Sequence, residues 1–160
     1  MTTTIVAIDG PGGAGKSTLA ARLSAEFGAQ VVHTDDFASW EVPIDWWPRM
    51  LHEVFEPLAE GRPARFQRYD WDRKELGEWL TVEPGGVVLV EGVTASREAF
   101  RPYLAASIWV ETPRELRLER GLERDGADAA ELWSDWMAGE DQWMVAERPQ
   151  AHVTAIVQGF

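Results

Sequence analysis

Cysteine is absent from this chain of 160 residues, and cations are scarce beside acids, with 15 Lys and Arg against 27 Asp and Glu. The lack of cysteine excludes disulfides and thiolate metal sites, which suits a reducing compartment. The formal net charge of −12 argues against sequence-independent nucleic-acid binding, which depends on clustered Lys and Arg. No apolar run approaches the roughly 20 residues that span a bilayer, and the N-terminal segment lacks a basic region. We therefore expect a cytoplasmic protein that binds neither nucleic acid nor a membrane.

Short apolar runs rich in β-branched residues alternate with longer helical patterns along the chain. Continuous apolarity is typical of strands buried on both faces, and the βαβα order predicts an α/β fold with a parallel sheet. At 160 residues the chain is the size of one domain, which we place at residues 1–160. The predicted strands cover residues 3–9, 30–35, 86–92, 107–112 and 152–158, and the predicted helices cover 15–28, 44–61, a short helix after Asp72, 96–104, 112–126 and about 128–148.

The stretch "DGPGGAGKST" follows the first predicted strand and opens the first predicted helix. It satisfies the pattern G-x-x-x-x-G-K-[ST], in which glycines turn backbone N–H groups towards a phosphate and the helix N-terminus adds its positive dipole end. The lysine then reaches the β- and γ-phosphates, and the serine hydroxyl ligates Mg²⁺. The alternative is a glycine-rich turn that binds nothing. The predicted nucleotide-binding residues are Gly10, Pro11, Gly12, Gly13, Ala14, Gly15, Lys16, Ser17 and Thr18.

Acidic residues follow the second and third predicted strands. Asp35 and Asp36 end "HTDD", and Glu91 ends "VVLVE". The carboxyl edge of an open α/β sheet is where ligands collect, and a carboxylate there can hold Mg²⁺ or accept a proton from an attacking hydroxyl. We expect Ser17, Asp35 and Glu91 to organise Mg²⁺. The alternatives are helix capping for the two aspartates and an internal salt bridge for Glu91.

Five segments taken together, "DGPGGAGKST", "TDDF", "RYDW", "VVLVEGV" and "RLERGLERD", resemble the uridine kinase family of P-loop nucleoside and nucleotide kinases in order and approximate spacing. The resemblance covers about residues 4–159. It implies a three-layer P-loop kinase fold whose five parallel strands are ordered 2-3-1-4-5. It also implies ATP as phosphate donor, Mg²⁺, a small-molecule acceptor, and Asp35 as the base toward a nucleoside 5′-hydroxyl.

The resemblance also places the acceptor. Asp36 stands where the family commonly has serine, Asp45 resembles an acid that holds the ribose hydroxyls, and Tyr69, with Asp70 beside it, falls on an aromatic position of the base pocket. Independently, "RYDWDR" mixes aromatic, acidic and basic side chains as a binding pocket does, so Trp71 joins the predicted substrate contacts. A surface turn with Trp71 in the core is the alternative. The family's pyrimidine-reading histidine is absent after this segment.

A short lid is predicted around residues 117–131. Arg117, Arg120 and Arg124 share one helical face, and cations there could stabilise the charge on a transferring phosphoryl group. We expect Arg120 and Arg124 to act with Asp35 and Lys16 in catalysis. The alternative is surface pairing with Glu119 and Glu123. Gly121 occupies a position where the family typically has a second arginine. Thr112 before Pro113 predicts a capped helix start.

Trp133, Trp136 and Trp143 recur at helical spacing, which describes a packed stripe or one wall of an acceptor pocket. The sequence thus favours a kinase of a small-molecule hydroxyl, with a nucleoside as the first candidate acceptor. A non-nucleoside alcohol such as an antibiotic or sugar, and a nucleotide-binding regulatory module without an acceptor, remain as alternatives. Oligomeric state and preference for ATP or GTP are left open.

Overall fold

The central sheet has five parallel strands, in the order β2-β5-β1-β6-β7. The computed structural model describes residues 2–159. Counted along the chain without the separate hairpin β3-β4, these strands are ordered 2-3-1-4-5, which confirms the predicted sheet. The strands are β1 Thr3–Asp9, β2 Gln30–His33, β3 Ala64–Asp70, β4 Glu75–Val82, β5 Gly86–Glu91, β6 Ala106–Glu111 and β7 Ala155–Gln158.

Helices cover both faces of the sheet and connect its strands, as predicted. The predicted helix over residues 44–61 begins at Trp47 and contains a π-helical stretch, Leu51–Phe55. The segment predicted as a helix over 96–104 is a 3₁₀ helix, Glu98–Tyr103. The α-helices are α1 Lys16–Phe27, α2 Trp47–Met50, α3 Glu56–Ala59, α4 Arg114–Asp125 and α5 Ala130–Glu147, and further 3₁₀ turns span Thr34–Asp36, Ala127–Ala129 and Pro149–Ala151.

The core explains the continuous apolar runs. Along β1, Ile5 and Ala7 belong to the large cluster beneath the hairpin and α2–α3, whereas Ile8 belongs to the cluster beneath α1. Successive side chains of a strand point to opposite faces, so a strand covered on both faces is apolar at every position. A third cluster, Ala129, Trp133 and Met137, joins α5 to Leu118 and Leu122 of α4.

The predicted short helix after Asp72 is wrong, because this part of the chain is the hairpin β3-β4. Ala64 and Phe66 are buried while Arg65 between them is exposed, which is the period-two alternation of a strand. Asp70 ends β3, and its Oδ1 accepts the backbone N–H groups of Asp72 and Arg73. Such aspartate turns compete with helix formation, so the chain reverses instead.

Candidate active site

One large cavity, of about 1280 Å³, lies at the carboxyl ends of the central strands. Drug-sized ligand pockets are about 300–1,000 Å³, so this volume has room for a nucleotide and a second small molecule. Residues 12–19 form one wall, and Glu91, Asp35, α4 and α5 contribute others. The predicted edge of the sheet is therefore where the structure places the cavity.

The phosphate-binding loop approaches other backbone too closely for side chains. Gly13 has a φ of +76°, and a Cβ built there would lie 2.5 Å from the carbonyl oxygen of Arg117. Only glycine fits such a position without displacing α4. Among the predicted loop residues, positions 12–18 line the cavity, whereas Gly10 and Pro11 are buried and do not line it.

Lys16 begins α1, and its side chain folds back over the loop, where Nζ donates to the Pro11 carbonyl at 2.8 Å. Thr112 also contacts the loop, and its hydroxyl donates to the Ala14 carbonyl at 2.7 Å. The capping role predicted for Thr112 is wrong, since α4 has Pro113 at its N-cap and no side-chain cap. The hydroxyl that was expected to cap a helix instead ties the loop to the end of β6.

Ser17 and Glu91 line the cavity, and His33 outside it extends their hydrogen-bonded chain. The Ser17 hydroxyl lies 3.2 Å from Glu91 Oε1, and His33 Nδ1 lies 2.6 Å from Glu91 Oε2. The β2–β5 register brings this about, since His33 is paired directly with Glu91. Burial by itself would raise the pKa of Glu91, but the His33 hydrogen bond, Lys16 and Ser17 together lower it. Glu91 therefore stays ionised, and its contact with His33 raises the pKa of the imidazole. No residue spacing in the sequence indicates a role for His33, because its contact with Glu91 depends on how β2 pairs with β5.

Asp35 lies in the turn Thr34–Asp36 and projects into the same cavity as Lys16, Ser17 and Glu91. The surrounding protein desolvates its carboxylate and raises its pKa; Glu91 adds to the rise, while Lys16 and Arg124 oppose it. Among residues 2–159, no three His, Cys, Asp or Glu side chains converge on a common metal position. Mg²⁺ is usually held by one or two carboxylates together with substrate phosphates and water, so Ser17, Asp35 and Glu91 fit that mode.

Of the predicted acceptor contacts, only Trp71 lines the cavity. Asp36 is buried, and its Oδ1 lies 3.4 Å from Nε of Arg68 in β3. Tyr69 packs edge-on against Trp71, with ring centroids 5.3 Å apart. Asp70 is occupied in the hairpin turn, and Asp45 is exposed near Arg97. The structure thus does not bring Asp36, Asp45, Tyr69 or Asp70 to the cavity wall.

Tryptophans form the wall facing Asp35. The rings of Trp40, Trp71 and Trp136 contact one another edge to face, with centroids 5.5–6.2 Å apart. The Trp71 indole N–H also donates to the Asp35 backbone carbonyl at 2.9 Å. Trp133 and Trp136 of the predicted helical stripe line the cavity, whereas Trp143 does not. We missed Trp40, which lies in irregular chain after β2.

Arg120 and Arg124 both line the cavity from α4. Arg120 donates to the carbonyls of Gly13 and Gly159, each at 3.1 Å. Arg124 pairs with Asp125 at 3.1 Å and lies over the Trp133 ring. Within the part of the chain that the structure describes, neither arginine pairs with Glu119 or Glu123. Arg117 is buried outside the cavity and donates to the Thr112 carbonyl.

Trp133 packs directly against Gly121, so each of the two positions restricts which residue can stand at the other. A Cβ at Gly121 would lie 2.5 Å from the Trp133 ring, so an arginine there would collide with the indole. Trp133 also packs against Gly12, and its N–H donates to Asp125 at 2.8 Å. The indole therefore occupies space beside the loop that a side chain at position 121 would need.

Asp9, at the end of β1, is a further residue beside the loop that the sequence patterns did not single out. It is fully buried and accepts backbone N–H groups from Gly10, Thr94 and Ser96, plus the Ser96 hydroxyl. These bonds join the start of the loop to the segment after β5. The sequence does place an acid at the end of an apolar strand, directly before the loop. A buried carboxylate at such a position needs hydrogen-bond partners, so this pattern could have predicted the role of Asp9.

The fold and the loop define a P-loop protein with the kinase type of sheet. The chain belongs to the family described as an AAA domain, whose model matches residues 6–134. Among the residues described here, no helix is both long and apolar enough to cross a membrane.

Curated relatives and solved structures agree with this fold. A cytidylate kinase of Neisseria gonorrhoeae (strain ATCC 700825 / FA 1090) is 28% identical over 136 residues, covering 80% of this chain and 58% of that protein. A cytidylate kinase of Ignicoccus hospitalis is 26% identical over 142 residues, covering 88% and 77%. The structure of a "possible uridine kinase" from Bacillus stearothermophilus superposes with a TM-score of 0.74 at 20% identity, covering 98% of this chain and 89% of that one. The fold implied by the resemblance is confirmed.

Proposed function

We propose that this protein is an ATP- and Mg²⁺-dependent phosphotransferase that moves the γ-phosphate to a hydroxyl of a small molecule. The observation that carries the proposal is that the phosphate-binding loop and Asp35 face the same cavity, which has room for two substrates. A protein that only binds or hydrolyses a nucleotide needs no room for a second substrate beside its loop. The kinase names of the relatives support the same class of reaction.

The donor phosphates would lie on the loop amides and the N-terminus of α1, with Lys16 reaching the β- and γ-phosphates. Ser17 with Glu91 and Asp35 would hold Mg²⁺, which would neutralise charge on the phosphates when bound. Because Glu91 is kept ionised, this end of the cavity carries the negative charge that such a cation requires.

Asp35 would orient the acceptor hydroxyl and take its proton as the oxygen attacks phosphorus. Arg120 and Arg124 line the cavity from α4, so they would lie against the oxygens of the transferring group. Catalysis in this arrangement consists of positioning and charge neutralisation.

The acceptor has two candidates. A nucleoside is supported by the resemblance to uridine kinases. A non-nucleoside alcohol is supported by a specific observation: Asp45 and Tyr69 lie outside the cavity, while Trp40, Trp71 and Trp136 line it. Indole faces suit a flat or apolar acceptor body, with the hydroxyl directed at Asp35.

A thermal-shift screen tests both candidates. Nucleosides, sugars and hydroxylated aromatic or antibiotic compounds would be added singly in the presence of a non-hydrolysable ATP analogue and Mg²⁺. Ligands of the native state raise the unfolding midpoint by mass action, so an acceptor should raise it beyond the analogue alone. Each hit would then be tested for ADP formation with ATP. Slow ATP hydrolysis that no hydroxyl compound accelerates would contradict the proposal.

A further inference from the structure

Glu140 is a buried carboxylate that reaches the phosphate-binding loop from α5. Its side chain is 1% exposed, and Oε2 accepts the backbone N–H of Gly12 at 2.7 Å. Its other oxygen, Oε1, has no hydrogen-bond partner among the described residues. Nor does any described Lys, Arg or His lie within salt-bridge distance of it, although Lys16 and Arg117 are near enough to act on its charge.

Packing of the core does not explain why position 140 is a glutamate. The other buried residues of α5 are all apolar: Trp133, Trp136, Met137 and Trp143. A carboxylate in such a row carries a large desolvation cost, which packing alone would avoid with Leu or Met. Its hydrogen bond to the Gly12 N–H crosses 128 residues of chain to the loop.

Two further contacts hold the loop next to the Glu140–Gly12 hydrogen bond. The Trp133 ring packs against Gly12, where a Cβ would lie 3.0 Å from the indole, and Gly13 lies against the Arg117 backbone. The 2.7 Å separation lies at the short end of N–H···O hydrogen bonds, so the Glu140 contact attaches the loop closely to α5. It holds the Gly12 amide in one orientation before any nucleotide arrives.

We propose that Glu140 is a positioning residue that holds the phosphate-binding loop, through the Gly12 amide, in the conformation that receives the nucleotide phosphates. A loop already in its bound shape loses less conformational freedom on binding, which increases affinity. This role rests on the proposed function only in that the loop binds a nucleotide; it does not depend on which acceptor is used.

The test compares E140M, which keeps the volume and loses the acceptor oxygens, with E140Q, which keeps one. The matched control is E147M, because Glu147 is on the same helix and also accepts a backbone N–H, from Glu98 at 2.9 Å, away from the cavity. Binding of a non-hydrolysable ATP analogue with Mg²⁺ would be measured by calorimetry. Thermal unfolding of each variant would show that the folded protein is being titrated.

We expect E140M to weaken the analogue's affinity about tenfold, in line with the loss of a hydrogen bond that leaves the Gly12 N–H without its acceptor. E140Q and E147M should stay within about threefold of wild type. In the NMR spectrum of the free protein, the Gly12 amide proton should move upfield in E140M. With an acceptor identified, the KM for ATP should rise in E140M and the KM for the acceptor should not.

Other outcomes overturn the role. Wild-type affinity in E140M would show that Glu140 serves the fold alone. Tighter binding would show that the carboxylate occupies an amide that the phosphates need. An E140Q variant as weak as E140M would mean that charge acts and the hydrogen bond does not. A wild-type protein that binds no ATP analogue would overturn the proposed function as well. If wild type binds the analogue and E140M binds it equally well, only the role of Glu140 is overturned.

Discussion

The two sides of the cavity are built differently. The donor side is a contiguous stretch, residues 12–19, with Glu91 beneath it. The acceptor side takes Asp35 and Trp40 from the chain after β2, Trp71 from the hairpin, and Trp136 from α5. A contiguous loop that binds phosphate through its backbone has a recognisable spacing, whereas a wall assembled from distant segments has none. The sequence therefore predicts the phosphate-binding chemistry that many kinases share. It does not predict the residues that select an acceptor.

Replacing Asp35 tests where the two sides meet and should have the largest effect. D35N should lower kcat by about 10²–10⁴-fold, the usual contribution of a general base. Affinity for a non-hydrolysable ATP analogue should stay near normal, because the loop and Lys16 are untouched and Ser17 and Glu91 remain to hold Mg²⁺. D36N is the matched control, since Asp36 pairs with Arg68 and does not line the cavity. Retained transfer in D35N would remove Asp35 as the base.

Adding a methyl group at Gly121 tests how α4 is packed over the donor side. G121A should lower the free energy of unfolding, because overpacking costs about 1–3 kcal/mol and outweighs the roughly 0.5–1 kcal/mol that Ala gains over Gly in a helix. Chemical denaturation would measure it.

The control for that experiment is G139A, where the new Cβ would lie 3.9 Å from Ile44 Cγ1, an ordinary van der Waals contact. G139A should be neutral or stabilising. In a W133A background, G121A should also become stabilising, because the ring that it strikes is gone. If G121A destabilised the protein equally with and without Trp133, the collision would not be the cause.

Truncating a tryptophan of the aromatic wall should weaken binding of the acceptor and leave binding of ATP unchanged. W71A should raise the KM for the acceptor about tenfold, equivalent to about 1.4 kcal/mol, and leave the affinity for the ATP analogue unchanged. W79A is the control, because Trp79 is exposed on the same hairpin and packs against Arg65 outside the cavity. A W71A variant with a weakened ATP site and a normal acceptor KM would reverse the assignment of the two sides.

The smallest expected effect is a pH-dependent difference in stability. Burial raises the pKa of Glu140, while the Gly12 hydrogen bond, the charge of Lys16, the nearby Trp136 indole and the charge of Arg117 oppose the rise. A raised folded-state pKa means that the stability present below the ordinary glutamate pKa, about 4.3, is lost as pH rises through the folded value. E140Q cannot ionise, so its thermal midpoint should match wild type in acid and exceed it increasingly toward neutral pH. A constant difference across the range would contradict this.

The local elements were predictable because their signals are short-range. Five strands and the phosphate-binding loop were located from apolar runs and from one spacing of glycines and lysine. The hairpin was mistaken for a helix, because Asp70 was considered as a ligand of the acceptor and not as the residue that closes the turn. Thr112 was mistaken for a cap, because the Ala14 carbonyl that it binds is 98 residues away.

The sequence by itself thus determined the α/β class, the sheet and the nature of the donor site, since strand burial and backbone phosphate binding depend on neighbouring residues. Only the tertiary structure decided which side chains share the cavity. Strand register joined His33 to Glu91, the hairpin brought Trp71 against Asp35, and α5 carried Glu140 to Gly12. These contacts depend on how separate segments pack, and packing at a distance leaves no periodicity in a single chain.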